Sequence, residues 1–236
     1  RQLRAVNVQG ALEVLRFACA AQAKPLVFVS TIAVCFAQGH VGPVDEDADM
    51  LPNIAAMPLG YAQSKCVAES LLRQASQRGL PVTILRPALI CGDSVSGEVN
   101  LDDLIAALVE GCAAAGAAID VDWLLDCVPV DFVAAVLARL PPAPEAGLAV
   151  LHLIHDNARH WREVVLWMNL YGCPVKLMPQ GEWLEAAFTH RSVAGTRLYG
   201  YRRFFQGYQA GEEAPRPFEA FLEPHQRRIR SDRTAQ

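Results

Sequence analysis

Two short runs constrain this chain more than any other feature: Leu26-Val27-Phe28-Val29, wholly apolar, and Val82-Thr83-Ile84-Leu85. Runs without polar alternation suit strands covered on both faces, as parallel sheets require. Between them the pattern predicts a helix from about Gly60 to Arg78, closed by Gly79. Strand, helix, strand in that order is the grammar of an α/β, doubly wound parallel sheet.

The flanks extend the pattern. From Gln2 to about Gln22 the residues Leu3, Val6, Leu12, Leu15 and Phe17 recur at helical spacing, and Pro25 ends that helix. A loop follows the first strand, carrying Gly39, Gly42, Pro43, Pro52 and Pro58 with the acidic residues Asp45, Glu46, Asp47 and Asp49. Further helices are expected over Leu101–Ala115 and Pro129–Leu140, the latter capped by Asp131, then a strand over Leu148–Ile154. Helices over Trp161–Tyr171 and Glu182–Phe188 suit a smaller lobe, and residues 210–236 are polar and proline-punctuated. The expected division is 1–92 as the carboxyl-terminal part of the core, 93–127 as a lobe insertion, 128–158 as a return to the core, and 159–236 as lobe and tail.

Composition removes several classes of function. Hydrophobic residues make up 52% and charged residues 19%, which excludes a disordered chain. Net charge is −4 and no basic stripe runs through the chain, which argues against a nucleic-acid partner. The seven cysteines are odd in number and nowhere spaced as C-x-x-C, so neither a zinc site nor a disulfide framework follows. They read as small apolar side chains in a reducing, cytoplasmic setting. No run reaches membrane-spanning length.

The residues with chemical potential lie around the two strands. Tyr61 and Lys65, four apart in Tyr61-Ala62-Gln63-Ser64-Lys65, share one helix face, one turn from each other. A phenol titrates near 10, and an adjacent ammonium favours its ionised form. Such a pair makes a tyrosine able to give a proton to a carbonyl oxygen. Coincidence produces that spacing in about one such chain in fifteen, so context has to carry it. Ser30-Thr31 ends the first strand, and in open α/β sheets reacting groups collect at the carboxyl ends of strands. The second strand breaks at Arg86-Pro87 into Ala88-Leu89-Ile90-Cys91-Gly92, where backbone could meet a flat cofactor ring.

In this order the motifs resemble an extended short-chain dehydrogenase/reductase: Asn7-Val8-Gln9-Gly10, Val29-Ser30-Thr31, Tyr61-x-x-x-Lys65, Arg86-Pro87-x-x-Ile90-x-Gly92 and Pro129-Val130-Asp131-Phe132-Val133-Ala134. The stretch Gly60 to Glu69 is similar to the thioester reductase domains of nonribosomal peptide and polyketide synthases and of carboxylic acid reductases, with Cys66 where those usually carry tryptophan. Leu151-His152-Leu153-Ile154, Trp161-Arg162-Glu163 and Gly181-Glu182-Trp183-Leu184 resemble their carboxyl-terminal lobe.

That resemblance implies a Rossmann-like fold and reduction of a phosphopantetheine-bound acyl or peptidyl thioester to an aldehyde, and onward to an alcohol in some cases. The implied cofactor is NADPH, with NADH left open, and the implied partner is a carrier-protein arm. It further implies Tyr61 as proton donor, Lys65 as ligand of the nicotinamide ribose, Thr31 rather than Ser30 as the hydroxyl polarising the carbonyl, and Pro87, Ala88 and Ile90 beside the nicotinamide. Asn7 is implied to act structurally, and no metal is implied. A nucleotide-sugar epimerase or dehydratase shares the superfamily motifs, and a catalytically dead docking module is the alternative of another class.

No glycine-rich phosphate loop of the G-x-x-G-x-x-G kind occurs, and in the family that element precedes the first helix seen here. The expectation is therefore an amino-terminal part of the fold outside these residues, and an isolated segment that is inactive. Titrating the 236-residue chain with NADPH should give no saturable micromolar binding, because grip on the remote phosphates positions the ring. Calorimetry checks this, and a stoichiometric isotherm would disprove it.

Overall fold

In a computed structural model, the residues described are 3–37, 43–140, 147–155, 157–189, 191–206, 218 and 229. The strands are β1 (Leu26–Val29), β2 (Val82–Pro87), β3 (Leu89–Cys91), β4 (Ala117–Ile119), β5 (Leu124–Leu125), β6 (Cys127–Pro129), β7 (Leu148–Leu153), β8 (Arg159–His160) and β9 (Lys176–Met178). The main helices are α1 (Gly10–Cys19), α2 (Gly60–Gln77), α3 (Leu104–Ala115), α4 (Val130–Arg139), α5 (Trp161–Leu170) and α6 (Gln180–Thr189). The chain divides into a unit of Arg1–Ile90, Cys127–His155 and His225–Gln236, and a unit of Cys91–Asp126 and Asp156–Pro224.

The first unit is built on a parallel sheet of order β1-β2-β7. Leu26, Val82 and Leu148 align across it, as do Phe28, Ile84 and Val150 two residues on. Side chains alternate along a strand, so these six share one face. Leu15 and Ala18 of α1 and Leu71, Leu72 and Ala75 of α2 pack against that face as one apolar cluster. Gly79, at φ +98°, turns the chain from α2 toward β2 in a left-handed conformation that a Cβ would disfavour.

Three local readings are corrected. The strand Leu26–Val29 is not covered on both faces, since Val27 and Val29 are 41% and 36% exposed; among the described residues β1 pairs with β2 alone. β2, paired on both sides, is buried at every position. The first helix opens as a π-helix, Arg4–Gln9, before α1 continues it. Asp131 does not cap α4: the helix starts at Val130 after Pro129, which leaves Asp131 in the first turn, where its charge complements the helix dipole. The tail 210–236 lies outside the described residues except for Phe218 and Ile229.

The second unit rests on anchored aromatics. The Trp161 indole N–H donates to the Ile119 carbonyl at 2.8 Å, and that of Trp183 to the Ala117 carbonyl at 3.2 Å, so both large rings are buried without a lost hydrogen bond. Both carbonyls belong to β4, which pairs in parallel with β9. Phe188, Phe205 and Phe218 extend the ring cluster from Trp183. His160 and Glu163 form a reciprocal capping box on α5.

Gly111 of α3 faces Leu198, and a Cβ there would lie 2.6 Å from the Leu198 Cβ. Gly111→Ala should therefore lower stability by about 1–3 kcal/mol despite alanine's better helix propensity. Denaturant titration checks this, and a Gly111→Ala chain as stable as the parent would overturn it.

Candidate functional site

The site begins where β1 runs out. Thr31 is extended (φ −158°) and caps the 3₁₀ turn Ile32–Cys35, its Oγ1 accepting the Ala33 N–H at 3.2 Å. That cap fixes the rotamer of a short side chain at the carboxyl end of the sheet. From α2, Tyr61, Lys65 and Glu69 stand at successive turns on one stripe.

The structure brings Thr31 and Tyr61 together: the Thr31 hydroxyl lies near enough to the phenol to favour the phenolate. Burial acts the other way and prevails, so the Tyr61 phenol titrates above its ordinary value although the residue is 40% exposed. This corrects the expectation that Lys65 draws the phenol downward. The Lys65 Nζ donates to the Val29 carbonyl at 3.0 Å and sits over the Phe28 ring at 5.0 Å, so its charge is spent on β1. Burial lowers the Lys65 ammonium, and the Glu69 carboxylate one turn away raises it.

Ser30, the other hydroxyl of the strand end, has a different partner. It donates to Glu69 Oε1 at 2.6 Å. Asn7 donates through Nδ2 to Ser64 Oγ at 2.8 Å, and Ser64 donates to the Tyr61 carbonyl at 2.8 Å, which ties the π-helix to the first turn of α2. Pro87 ends β2 opposite Leu153 of β7, and the next N–H, that of Ala88, donates to the Leu153 carbonyl at 2.8 Å. Ala88 is buried and Ile90, on β3, half-buried. These three occupy the carboxyl-terminal exit of the sheet, where α/β proteins place their ligands.

Sequence reading missed the charged layer behind the site. Arg86 is fully buried and forks onto Glu69, with Nη2 to Oε2 at 2.6 Å and Nε to Oε1 at 3.0 Å. Its Nη1 donates to His152 Nε2 at 3.2 Å, so that nitrogen carries no proton. The His152 backbone N–H donates to Glu46 Oε1 at 3.0 Å, and Arg86 Nη2 also donates to the Ala48 carbonyl at 3.3 Å. Cys35 lies against Arg86 and His152, and burial pushes its thiol up to about 11. The available signal was Glu69 itself, one turn beyond Lys65 on the same stripe, together with an arginine in a buried strand. Among the described residues, no three His, Cys, Asp or Glu side chains are grouped as metal ligands, and no helix is long and apolar enough to cross a membrane.

A parallel α/β sheet with tyrosine, lysine and threonine at its carboxyl ends defines a Rossmann-like nucleotide-binding protein of the short-chain dehydrogenase/reductase kind. The chain belongs to the NAD-binding family described as "Male sterility protein", whose model matches residues 1–137. It is 33% identical over 185 residues to a linear gramicidin synthase of Brevibacillus parabrevis, covering 78% of this chain and 4% of that protein. It is 31% identical over 199 residues to the L-2-aminoadipate reductase of Eremothecium gossypii (its large subunit), covering 78% of this chain and 14% of that one. Among solved structures, the terminal R domain from the myxalamid PKS-NRPS biosynthetic pathway superposes with a TM-score of 0.74 at 37% identity, covering 90% of this chain and 54% of that chain. The chain thus spans about half of that solved chain and a small fraction of the two longer relatives.

The Tyr61 shift has a stability consequence. A phenol whose pKa is raised by folding contributes stability that is fully present below its unfolded value of about 10 and is lost as pH rises through the folded value. Tyr61→Phe should therefore flatten the alkaline fall in stability above about pH 10, which denaturant titrations on both sides of that pH would read. An unchanged alkaline limb would mean that Tyr61 is not buried enough to matter.

Proposed function

We propose that this chain carries the proton-donating half of a reductase that releases an acyl or peptidyl thioester from a phosphopantetheine arm as an aldehyde, with NADPH as reductant. The observation that carries the reading is the juxtaposition of Thr31 and Tyr61 at the carboxyl end of β1, with Lys65 one turn away on α2. The peptide synthase and the reductase among the relatives support it, each aligned over more than three quarters of this chain.

The residues present fit the nicotinamide half of a dinucleotide. Lys65 offers an ammonium at the sheet's carboxyl end to hold ribose hydroxyls, and Pro87, Ala88 and Ile90 offer a largely apolar border for the ring. When bound, the cofactor supplies a hydride. The chain's own part is acid catalysis and orientation. Thr31 donates a hydrogen bond to the thioester carbonyl oxygen and holds it beside Tyr61. The Tyr61 phenol gives its proton to that oxygen as negative charge develops there. The resulting hemithioacetal returns that proton to the tyrosinate as its carbon–sulfur bond breaks, and the pantetheine sulfur leaves and takes a proton from water to become the free thiol. Burial makes the phenol a weaker acid, and the Thr31 hydroxyl, which favours the phenolate, works against that shift. Lys65 releases the Val29 carbonyl to take the ribose, and its charge then supports the tyrosinate left behind.

Assays belong on the protein containing this segment, given NADPH with an acyl-CoA, an acyl carrier protein or a UDP-sugar. Thioester consumption with aldehyde formation is expected; turnover of the sugar nucleotide instead would assign the chain to the epimerases and dehydratases, and silence on all substrates to a docking role. Tyr61→Phe should cost on the order of a hundredfold or more in kcat with little change in cofactor affinity. Lys65→Ala should raise the KM for NADPH as well as lower kcat. Thr31→Val should cost more than Ser30→Ala, and the reverse ranking would move the catalytic hydroxyl to Ser30.

A further inference from the structure

The sheet face covered by α1 and α2 carries two apolar layers and then a polar one. Leu26, Val82 and Leu148 form the first layer and Phe28, Ile84 and Val150 the second. Two residues on, alternation brings Ser30, Arg86 and His152 to the same face. Arg86 aligns with His152 in the ladder, and the Ser30 N–H continues it by donating to the Leu85 carbonyl at 2.7 Å. One residue from the carboxyl end of each core strand therefore enters this layer. All three are buried, and all converge on the Glu69 carboxylate, Ser30 and Arg86 directly and His152 through Arg86.

Thr31 is the next residue after Ser30, and Lys65 is one turn before Glu69. Thr31 and Tyr61 belong to different elements, so the two hydroxyls stay close only while α2 keeps its distance from the end of β1. Two side-chain links hold that distance: Lys65 Nζ to the Val29 carbonyl at 3.0 Å, and Ser30 Oγ to Glu69 at 2.6 Å. The first uses a long, flexible side chain that the proposed reaction calls away to the ribose. The second is short and buried, and the Arg86 fork fixes its acceptor.

We propose that Ser30, Glu69 and Arg86 are positioning residues: their buried network locks the end of β1 to α2, and thereby sets the Thr31 hydroxyl against the Tyr61 phenol when Lys65 is engaged elsewhere. The inference rests on the assignment of Tyr61 and Thr31 given above. Glu69 accepts from Ser30 and Arg86 at once, so its two oxygens are oriented from both sides. The Arg86 guanidinium compensates the Glu69 charge within the layer, although the carboxylate still raises the Lys65 ammonium one turn away. None of the three touches the reacting atoms, and their effect is geometric.

The test uses the whole 236-residue chain labelled with [13Cζ]tyrosine. Tyr61→Phe identifies the Tyr61 resonance, and the exposed Tyr171 serves as internal control. Ser30→Ala removes one hydroxyl and leaves the Glu69–Arg86 pair intact. It should move the Tyr61 resonance and raise its titration further, since the Thr31 hydroxyl that favours phenolate is displaced, while Tyr171 stays unchanged. Ser30→Thr should restore the parent signal. Arg86→Lys, which keeps the charge and loses the fork, should act in the same direction as Ser30→Ala. In the protein containing this segment, Ser30→Ala should lower kcat about tenfold with the KM for NADPH unchanged. A folded Ser30→Ala chain with an unmoved Tyr61 resonance overturns the proposal, and so does a moved resonance with unchanged kcat. A moved resonance in a protein that reduces no acyl thioester overturns the functional reading and leaves the positioning network standing.

Discussion

The buried pair of Glu69 and Arg86 is the interaction on which the first unit depends. Two charges taken out of water carry a desolvation cost that only good geometry offsets. Here the geometry is complete: two fork contacts, a serine hydroxyl on the carboxylate, and a histidine nitrogen and a backbone carbonyl on the guanidinium. Removing one partner would strand the other, a loss of about 3–5 kcal/mol. A hydrophobic replacement of the pair could fill the same volume. It could not hold the ends of β1, β2 and β7, the stripe of α2 and the loop at Ala48 to one point.

The consequence is a sheet with two chemically distinct ends. The amino-terminal layers are closed by leucine, valine, isoleucine and phenylalanine and need only volume and pattern. The carboxyl-terminal layer is specified by hydrogen bonds, each with one acceptable direction and length. A site built on that layer inherits its rigidity. The Ala33 N–H fixes Thr31, and the relay from Asn7 through Ser64 fixes the turn of α2 that carries Tyr61.

The second unit solves a different problem. Its strands are two and three residues long, too short to hold together by backbone pairing. Buried tryptophans that donate to β4 carbonyls, and an aromatic cluster around Trp183, supply the order instead. Trp161 and Trp183, which in sequence mark a resemblance to thioester reductases, are therefore explained as packing anchors.

Residue order along the chain was enough to determine the α/β class, the parallel sheet, the span of α2 and the shared stripe of Tyr61 and Lys65. Each of these follows from local periodicity, which a linear text preserves: β2 and β7 lie within a residue or two of the apolar runs that predicted them. The family resemblance already preferred Thr31 to Ser30 beside Tyr61; the tertiary structure supplied the physical reason, because the buried Glu69 carboxylate claims the Ser30 hydroxyl. It also decided the direction of the Tyr61 shift, since the binding of Lys65 to the Val29 carbonyl cannot be read from a four-residue spacing. The Arg86, His152 and Glu46 contacts span 17 to 106 positions of chain. Nothing local encodes such pairings: they arise because parallel strands bring residues of equal register side by side, and the register is set only when the sheet closes.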